Sequence, residues 1–354
     1  MPSKSLPLPI IEQTAKKFGL NVVGVSSAKD AFEEIENLKN WQEQGFAGEM
    51  DFMKRDPKLL TDPNFILPNF KSIVLFSINY SQEKKPKFKT GYGRIARYAW
   101  GKDYHKVLRK KLKLFVTEIQ NSFSQSLNFR IFSDSVPLLE RFYAKKSGLG
   151  FIGKNTLLIN PKEGSFNFLA EVIWDLEIVD SRLKIARGSC KTCTRCLDNC
   201  PTNAFNKEYV LDARKCISYL TIEKRGILNE WEQSAIGEWV FGCDICQEVC
   251  PFNSKALKYE ARSKIEEFNS ENGFGGLINL KEILSIKSDQ EFIKKFMGTS
   301  IMRTKREGLI RNALIVASNT HANDLLSDIK YLETKEENQV IVYHSRIALD
   351  KLSS

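Results

Sequence analysis

Apolar residues in the first half of the chain alternate between helical and strand spacing, which predicts a mixed α/β segment. Ile10–Phe18 has helical spacing and leads into a short strand at Asn21–Val25. Ala31–Met53 reads as mostly helical, with a turn around Gly45–Gly48. Ser72–Tyr80 is an apolar strand. Asp103–Gln120 predicts an amphipathic helix with Leu108, Leu112, Phe115, Val116 and Ile119 on one face and most of its Lys and Arg on the other. Asn128–Phe132 reads as a strand ending at Ser133-Asp134-Ser135, after which Pro137 opens a helix through Lys146. Leu157–Ile159 and Phe166–Val179 are strand-like. The pattern changes near Ser181 to a cysteine-rich stretch that runs to about Asn253, and Lys255–Gly276 reads as a polar linker. Leu280–Leu284, Asp289–Phe296, Glu307–Ser318, Asp324–Leu332 and Gln339–Leu352 follow as short amphipathic helices, the spacing of HEAT-type αα-hairpins. The expected fold class is α+β: an N-terminal α/β domain over 1–180, a ferredoxin-like module over 181–254 and a HEAT-like helical domain over 277–354.

The 354 residues are 42% hydrophobic and 27% charged, a globular composition that excludes a disordered or fibrous chain. No apolar run reaches membrane-helix length, and the opening MPSKSLPLPI lacks the apolar core of a secretory signal. A cytoplasmic protein in a reducing compartment is expected. Lys and Arg number 53 against 43 Asp and Glu, a balance of +10 that suits a polyanionic partner without identifying one.

All 8 cysteines fall between Cys190 and Cys250. Cys190-x2-Cys193-x2-Cys196-x3-Cys200-Pro201 is the run of bacterial ferredoxins, in which the fourth cysteine ligates the other cluster. The second run, Cys243-x2-Cys246-x3-Cys250-Pro251, is one cysteine short, with Val240 at the missing position. Cys216 is the only spare thiol and fills the vacancy. Cluster A is therefore expected on Cys190, Cys193, Cys196 and Cys250, and cluster B on Cys200, Cys216, Cys243 and Cys246. Two structural zinc sites would explain the count but not the interlocked spacing. Two 4Fe–4S clusters carry electrons and make no product, so another part of the chain must use them.

Gly148-Leu-Gly150-Phe-Ile-Gly153-Lys154 fits both GxGxxG and most of a P-loop. Both motifs need a preceding apolar strand, whereas Glu140–Ser147 is polar and helical. A helix cap, or a close approach of backbone to a flat cofactor, are the alternatives. Asp134 stands just past a strand, where open α/β sheets present groups to ligands. Phe132, Val136, Leu138 and Leu139 would give it apolar surroundings and raise its pKa for general acid work; its alternative role is a cap. The three histidines, His105, His321 and His344, form no HExxH and no Asp-x-His-x-x-Gly, which argues against a catalytic zinc or mononuclear iron centre.

Several ordered blocks make the chain resemble the epoxyqueuosine reductases of bacterial queuosine synthesis. They are Ile95-Ala-Arg-Tyr-Ala with Asp103-Tyr-His-Lys, Ser133-Asp-Ser-Val-Pro-Leu-Leu-Glu-Arg, Gly148-Leu-Gly-Phe-Ile-Gly-Lys-Asn, the first cysteine run, Cys216-Ile-Ser-Tyr-Leu-Thr-Ile-Glu, Gly242-Cys-Asp-Ile-Cys-Gln-Glu-Val-Cys-Pro-Phe-Asn and Arg311-Asn-Ala-Leu-Ile. The family is related to the reductive dehalogenases. The resemblance implies base-off cobalamin and two 4Fe–4S clusters, with the clusters passing electrons singly to cobalt to generate Co(I). It implies reduction of epoxyqueuosine to queuosine at the wobble position of tRNAs with a GUN anticodon, those for Tyr, His, Asp and Asn. It assigns the proton donor to Asp134, with Tyr104 and His105 second, and the cobalamin cradle to Arg55, Arg97, Asp134, Lys154, Asn155, Ser218, Tyr219 and Gly242. A basic patch of Arg303, Lys305, Arg306 and Arg311 against Glu307 would hold tRNA phosphates. After Arg311-Asn312 there is room for little more than one helical repeat. An external electron donor, a monomer and no membrane complete the expected partners. The rival readings are a corrinoid reductase of a small molecule such as an organohalide, a plain ferredoxin-type electron carrier, and an RNA-binding protein with structural zinc.

Overall fold

A computed structural model of the protein describes residues 5–26, 30–82, 85–124, 126–179, 188–258 and 264–353. The boundary expected at 180–181 lies outside the described residues. Near the N-terminus a four-stranded sheet runs in the order Val22–Ser26, Ser72–Asn79, Asn167–Trp174, Phe129–Phe132, every neighbouring pair antiparallel. The mixed helix and strand composition expected of this segment is present, built on an antiparallel sheet.

Its central strands are apolar almost throughout because both faces are covered. Val74, Phe76 and Ile78 meet the helices Leu8–Lys17 and Tyr104–Gln120 on one side. Ile73 and Leu75 meet the helix Glu140–Lys146 on the other. The Tyr104–Gln120 helix buries the predicted Leu108, Leu112, Phe115, Val116 and Ile119, and the Asp103 carboxylate caps it by accepting the His105 N–H. Pro137 does not open the next helix. That helix starts at Glu140, and residues 137–139 form a loop fastened by the Leu139 N–H to the Leu60 carbonyl.

A second sheet binds the three sequence segments together. Its central strand, Tyr92–Ile95, pairs in parallel with Trp239–Phe241 of the cysteine module and antiparallel with Leu277–Asn279, which leads into the C-terminal helices. One apolar core runs from Ile95 and Trp100 through Leu220, Ile236 and Phe241 to Leu309, Leu314, Ile329 and Leu352. Lys255–Gly276 is not a free linker: Ile265 and Phe268 are buried in the N-terminal core, and the Ser270 N–H donates to Gln82.

The helix Lys305–Asn319 lies at the centre of the helical segment and is buried almost all round, so it shows little amphipathic bias. Arg311 on this helix is 1% exposed. Its guanidinium donates to the carbonyls of Leu220, Lys224 and Gly226 at 2.9–3.0 Å. The adjacent Asn312 amide donates to the carbonyls of Thr221 and Val240 at 2.8 and 2.9 Å. Arg306 is also buried, paired with Glu336 and donating to the Ile286 carbonyl. Arg306 and Arg311 are therefore spent inside the protein, which corrects the expectation that they meet phosphate. The buried orphan carbonyls of a helix end and a turn need donors, and these arginines supply them.

Replacing Arg311 with Met leaves those carbonyls without a donor, a loss of at least about 3 kcal/mol. The thermal midpoint of the cluster-loaded protein should fall by on the order of 5 °C. Arg346→Ala, which removes an exposed partner of Glu333, should shift it by less than about 1 °C.

Candidate active site

A cavity of about 1700 Å³ opens between the four-stranded sheet, the cysteine module and the helical segment. Small-molecule pockets usually occupy about 300–1000 Å³, so this one has room for a cofactor together with a substrate. Among its lining residues are Arg55, Tyr98, Tyr104, His105, Asp134, Glu140, Glu223 and Arg303.

Asp134 follows the edge strand Phe129–Phe132 and takes a positive φ of 49°. Its side chain is 73% exposed. Apolar burial of Asp134, expected from Phe132, Val136, Leu138 and Leu139, is therefore not what the structure shows. The Tyr104 hydroxyl donates to Asp134 Oδ2 at 2.8 Å, and His105 Nε2 lies 4.0 Å from the same oxygen. Tyr104 is stacked between Phe168, with ring centres 4.2 Å apart, and His105, at 4.0 Å. Burial, and then the charge of Asp134, push the Tyr104 phenol far up, so it stays a donor. His105 Nδ1 lies 2.8 Å from the Asp103 carboxylate, which fixes the ring. The three expected catalytic residues thus meet at one point of the cavity wall.

The sequence reading passed over two carboxyls. The Asp134 N–H donates to Glu140 Oε1 at 2.7 Å. The Glu140 carboxyl faces that of Glu171, which stands fully buried in the Asn167–Trp174 strand. Burial and then the Asp134 charge raise Glu140 to about 8, while burial and then Glu140 hold Glu171 well above the carboxylate range. An acid within the otherwise apolar run Phe168–Trp174 was the available signal for Glu171. Tyr98 and Glu223 were also missed. Glu223 holds Arg303 at the cavity by two hydrogen bonds of 3.0 Å, and the Arg303 guanidinium lies over the half-exposed ring of Phe52.

Of the expected cobalamin residues, Arg55 and Asp134 line this cavity. Arg97 is buried between the rings of Trp100 and Phe166, each 5.0 Å away, and its N–H donates to Asp244. Lys154 pairs with Glu208 at 2.7 Å, and its backbone N–H points at Cys190 Sγ, 3.4 Å away. Asn155 is buried in the same glycine turn, its Oδ1 accepting from the Leu157 N–H. The Tyr219 hydroxyl accepts the Glu49 N–H, Ser218 closes a turn with Thr221, and the Gly242 N–H donates to Thr221. None of these six is among the residues that line the cavity, so the structure does not bring them together with Arg55 and Asp134 as one cradle. Gly148, at φ +79°, caps the Glu140–Lys146 helix, and a Cβ on Gly150 would lie 2.5 Å from the Ile159 carbonyl, so tight packing explains these glycines without a nucleotide.

The thiols fall into two neighbourhoods. Cys196 has Cys190 and Cys250 beside it, and Cys250 has Cys190 and Cys193. Cys216 has Cys200 beside it, Cys243 has Cys216 and Cys246, and Cys246 has Cys216 and Cys200, with Cys196 of the first group also near. Backbone N–H groups aimed at Cys190 and Cys200 are donors of the kind that stabilise anionic sulfur. This donor set fits two adjoining iron–sulfur clusters.

Residues 189–253 match the family model of a 4Fe–4S double cluster binding domain, and residues 61–135 match that of epoxyqueuosine reductase QueG, DUF1730. The chain is 40% identical over 308 residues to an epoxyqueuosine reductase of Leadbetterella byssophila, covering 86% of this chain and 97% of that one. It is 35% identical over 332 residues to the epoxyqueuosine reductase of Escherichia coli, covering 90% and 83%. The fold superimposes with a TM-score of 0.85 on an epoxyqueuosine reductase solved with an epoxyqueuosine-modified tRNA-Tyr stem loop, at 28% identity over 98% of this chain and 90% of that one.

The raised Glu140 carboxyl ties stability to pH. Its folded value of about 8 lies above the ordinary 4.5, so the proton favours the folded state. That contribution is fully present below about pH 4.5 and is lost as pH rises through about 8. Glu140→Gln has no proton to lose, so its thermal midpoint should fall less than that of the wild type between about pH 6 and 9.

Proposed function

The chain belongs to the epoxyqueuosine reductase family, and we propose that its cavity receives the epoxyqueuosine of a tRNA wobble position while Asp134 delivers the proton that the opening epoxide oxygen needs. The protein is an oxidoreductase of tRNA modification, and it carries two 4Fe–4S clusters. The observation that carries the proposal is Asp134 itself: a carboxyl in a wide cavity, exposed, and held from behind by Tyr104.

Deoxygenating an epoxide takes two electrons and two protons and releases water. In our reading the eight thiols ligate the clusters in their two neighbourhoods, with Cys190, Cys193, Cys196 and Cys250 on one and Cys200, Cys216, Cys243 and Cys246 on the other. A base-off cobalamin seated in the cavity, with Arg55 in its cradle, would supply a strongly reducing centre next to the epoxide. The protein's own groups bind, orient and protonate. The Tyr104 hydrogen bond falls on Oδ2 of Asp134, which leaves Oδ1 to carry the proton toward substrate. His105, fixed by Asp103, lies near enough to return a proton to that carboxylate from solvent. Exposed Arg303 and Lys305 are the cations we assign to tRNA phosphates. A flipped anticodon base is the form in which a buried site reads RNA. The substrates are tRNAs with a GUN anticodon, for Tyr, His, Asp and Asn. An external donor reduces the clusters, and the enzyme works as a cytoplasmic monomer. No helix among the described residues is long and apolar enough to cross a membrane.

Cluster- and cobalamin-loaded protein, given a strong reductant and epoxyqueuosine tRNA, should convert the nucleoside to one lighter by an oxygen atom. Asp134→Asn should slow single-turnover conversion by about 10²–10⁴-fold with tRNA affinity kept. No conversion by fully loaded wild type would overturn the assignment. Replacing Arg303 and Lys305 together with Ala should flatten the slope of log affinity against log salt for tRNA by roughly 1.5.

A further inference from the structure

Behind Asp134 lies a carboxyl pair that the chemistry above does not use. Glu140 is the first residue of its helix and turns Oε1 back to accept the Asp134 N–H. Glu171 stands between two strands, opposite Leu75 on one side and Phe132 on the other. It is fully buried, and neither of its oxygens receives a conventional donor among the described residues. The polar group it meets is the Glu140 carboxyl. Two carboxyls face to face, one of them fully buried, repel if both ionise, whereas one proton between them makes a hydrogen bond and leaves a single charge.

Asp134 needs such support. A non-glycine residue at φ 49° is held against its backbone preference, by about 1 kcal/mol or more. Two contacts fasten this loop to the Asn167–Trp174 strand. Ser133 Oγ donates to the Leu169 carbonyl at 2.6 Å, and the Asp134 N–H reaches Glu171 through Glu140.

We propose that Glu140 is a positioning residue: it shares one proton with Glu171, and the singly protonated pair holds the Asp134 backbone in the conformation from which its carboxyl reaches substrate. This inference rests on Asp134 as proton donor. The charged and titratable groups facing Glu140 are Asp134 from the loop, Glu171 from the strand, Arg141 from its own helix and Tyr104 from the neighbouring helix. Arg141 does not neutralise the pair through a hydrogen bond, because its guanidinium donates to the Thr156 carbonyl. Loss of the shared proton at high pH places two like charges side by side and loosens the loop. Glutamine at position 140 keeps an oxygen for the Asp134 N–H and offers Glu171 an N–H that does not titrate.

The test is single-turnover conversion by loaded enzyme across pH. Glu140→Leu should lower the rate by about 10–100-fold, with tRNA affinity within about twofold. Glu140→Gln should stay within about threefold of wild type near neutrality and lose the fall in rate that wild type shows above about pH 7.5. A second readout needs no turnover. Infrared difference spectra should show a protonated carboxyl C=O in wild type at pH 7 that is missing from the Glu140→Gln/Glu171→Gln double variant. A wild-type rate in Glu140→Leu, or a Glu140→Gln rate as low as that of Glu140→Leu, overturns the proposal. So does an infrared band unchanged in the double variant. Asp134→Asn separates the two readings: full activity there removes the proton donor itself, while an inactive Asp134→Asn beside a fully active Glu140→Leu removes only the role given to Glu140.

Discussion

Arg311 and Asn312 fasten the helical segment to the cysteine module, and the geometry of the cavity depends on that clasp. Five carbonyls of the module, on Leu220, Thr221, Lys224, Gly226 and Val240, receive donors from these two adjacent side chains. Because the Arg311 contacts on Leu220, Lys224 and Gly226 and the Asn312 contact on Thr221 flank Glu223 in the chain, they set where Glu223 sits. Glu223 in turn places Arg303 on the cavity wall. A charge buried this deeply is retained because its partners are fixed dipoles in the right places, and removing it leaves them unsatisfied.

The second constraint is the antiparallel sheet. Alternate residues of Ser72–Asn79 feed two different cores. The same alternation points Glu171 toward the Glu140–Lys146 helix, beside Ile173 and away from Val172. Tyr104, the first residue of its helix, owes its position to the Asp103 cap, and stacking on Phe168 holds its hydroxyl against Asp134. One polar line thus runs from a strand interior to the cavity surface.

Much of this was legible in the sequence. Strong periodicity marked the Tyr104–Gln120 helix, the Ser72–Asn79 strand and the C-terminal helices because their apolar faces are continuous, although the helices Lys305–Asn319 and Leu326–Lys335 begin or end away from the expected Glu307–Ser318 and Asp324–Leu332. Cysteine spacing was informative because cluster geometry leaves little freedom in short loops. Three things were not legible. Arg306 and Arg311 look like any basic patch, since burial of a cation depends on carbonyls more than 80 residues earlier or on Glu336 thirty residues later. Lys255–Gly276 looks polar because its buried hydrophobic anchors among the described residues, Ala256, Ile265 and Phe268, are few and widely spaced. Pro137 is a common helix opener, but here the loop it belongs to is held out by Leu60 and by Glu140.

The interleaving of the thiols has a consequence for assembly. Each neighbourhood combines cysteines from the two ends of the module, Cys250 with Cys190 and Cys246 with Cys200. A cluster seated in either one is a cross-link that closes a long loop, and the loop it closes contains the strand Trp239–Phe241 and the Leu220–Gly226 turn. Those are the elements that the central sheet and the Arg311 clasp grip. A cluster bound in either neighbourhood would therefore brace the cavity wall as well as carry electrons, because the loop it closes holds Glu223, which positions Arg303.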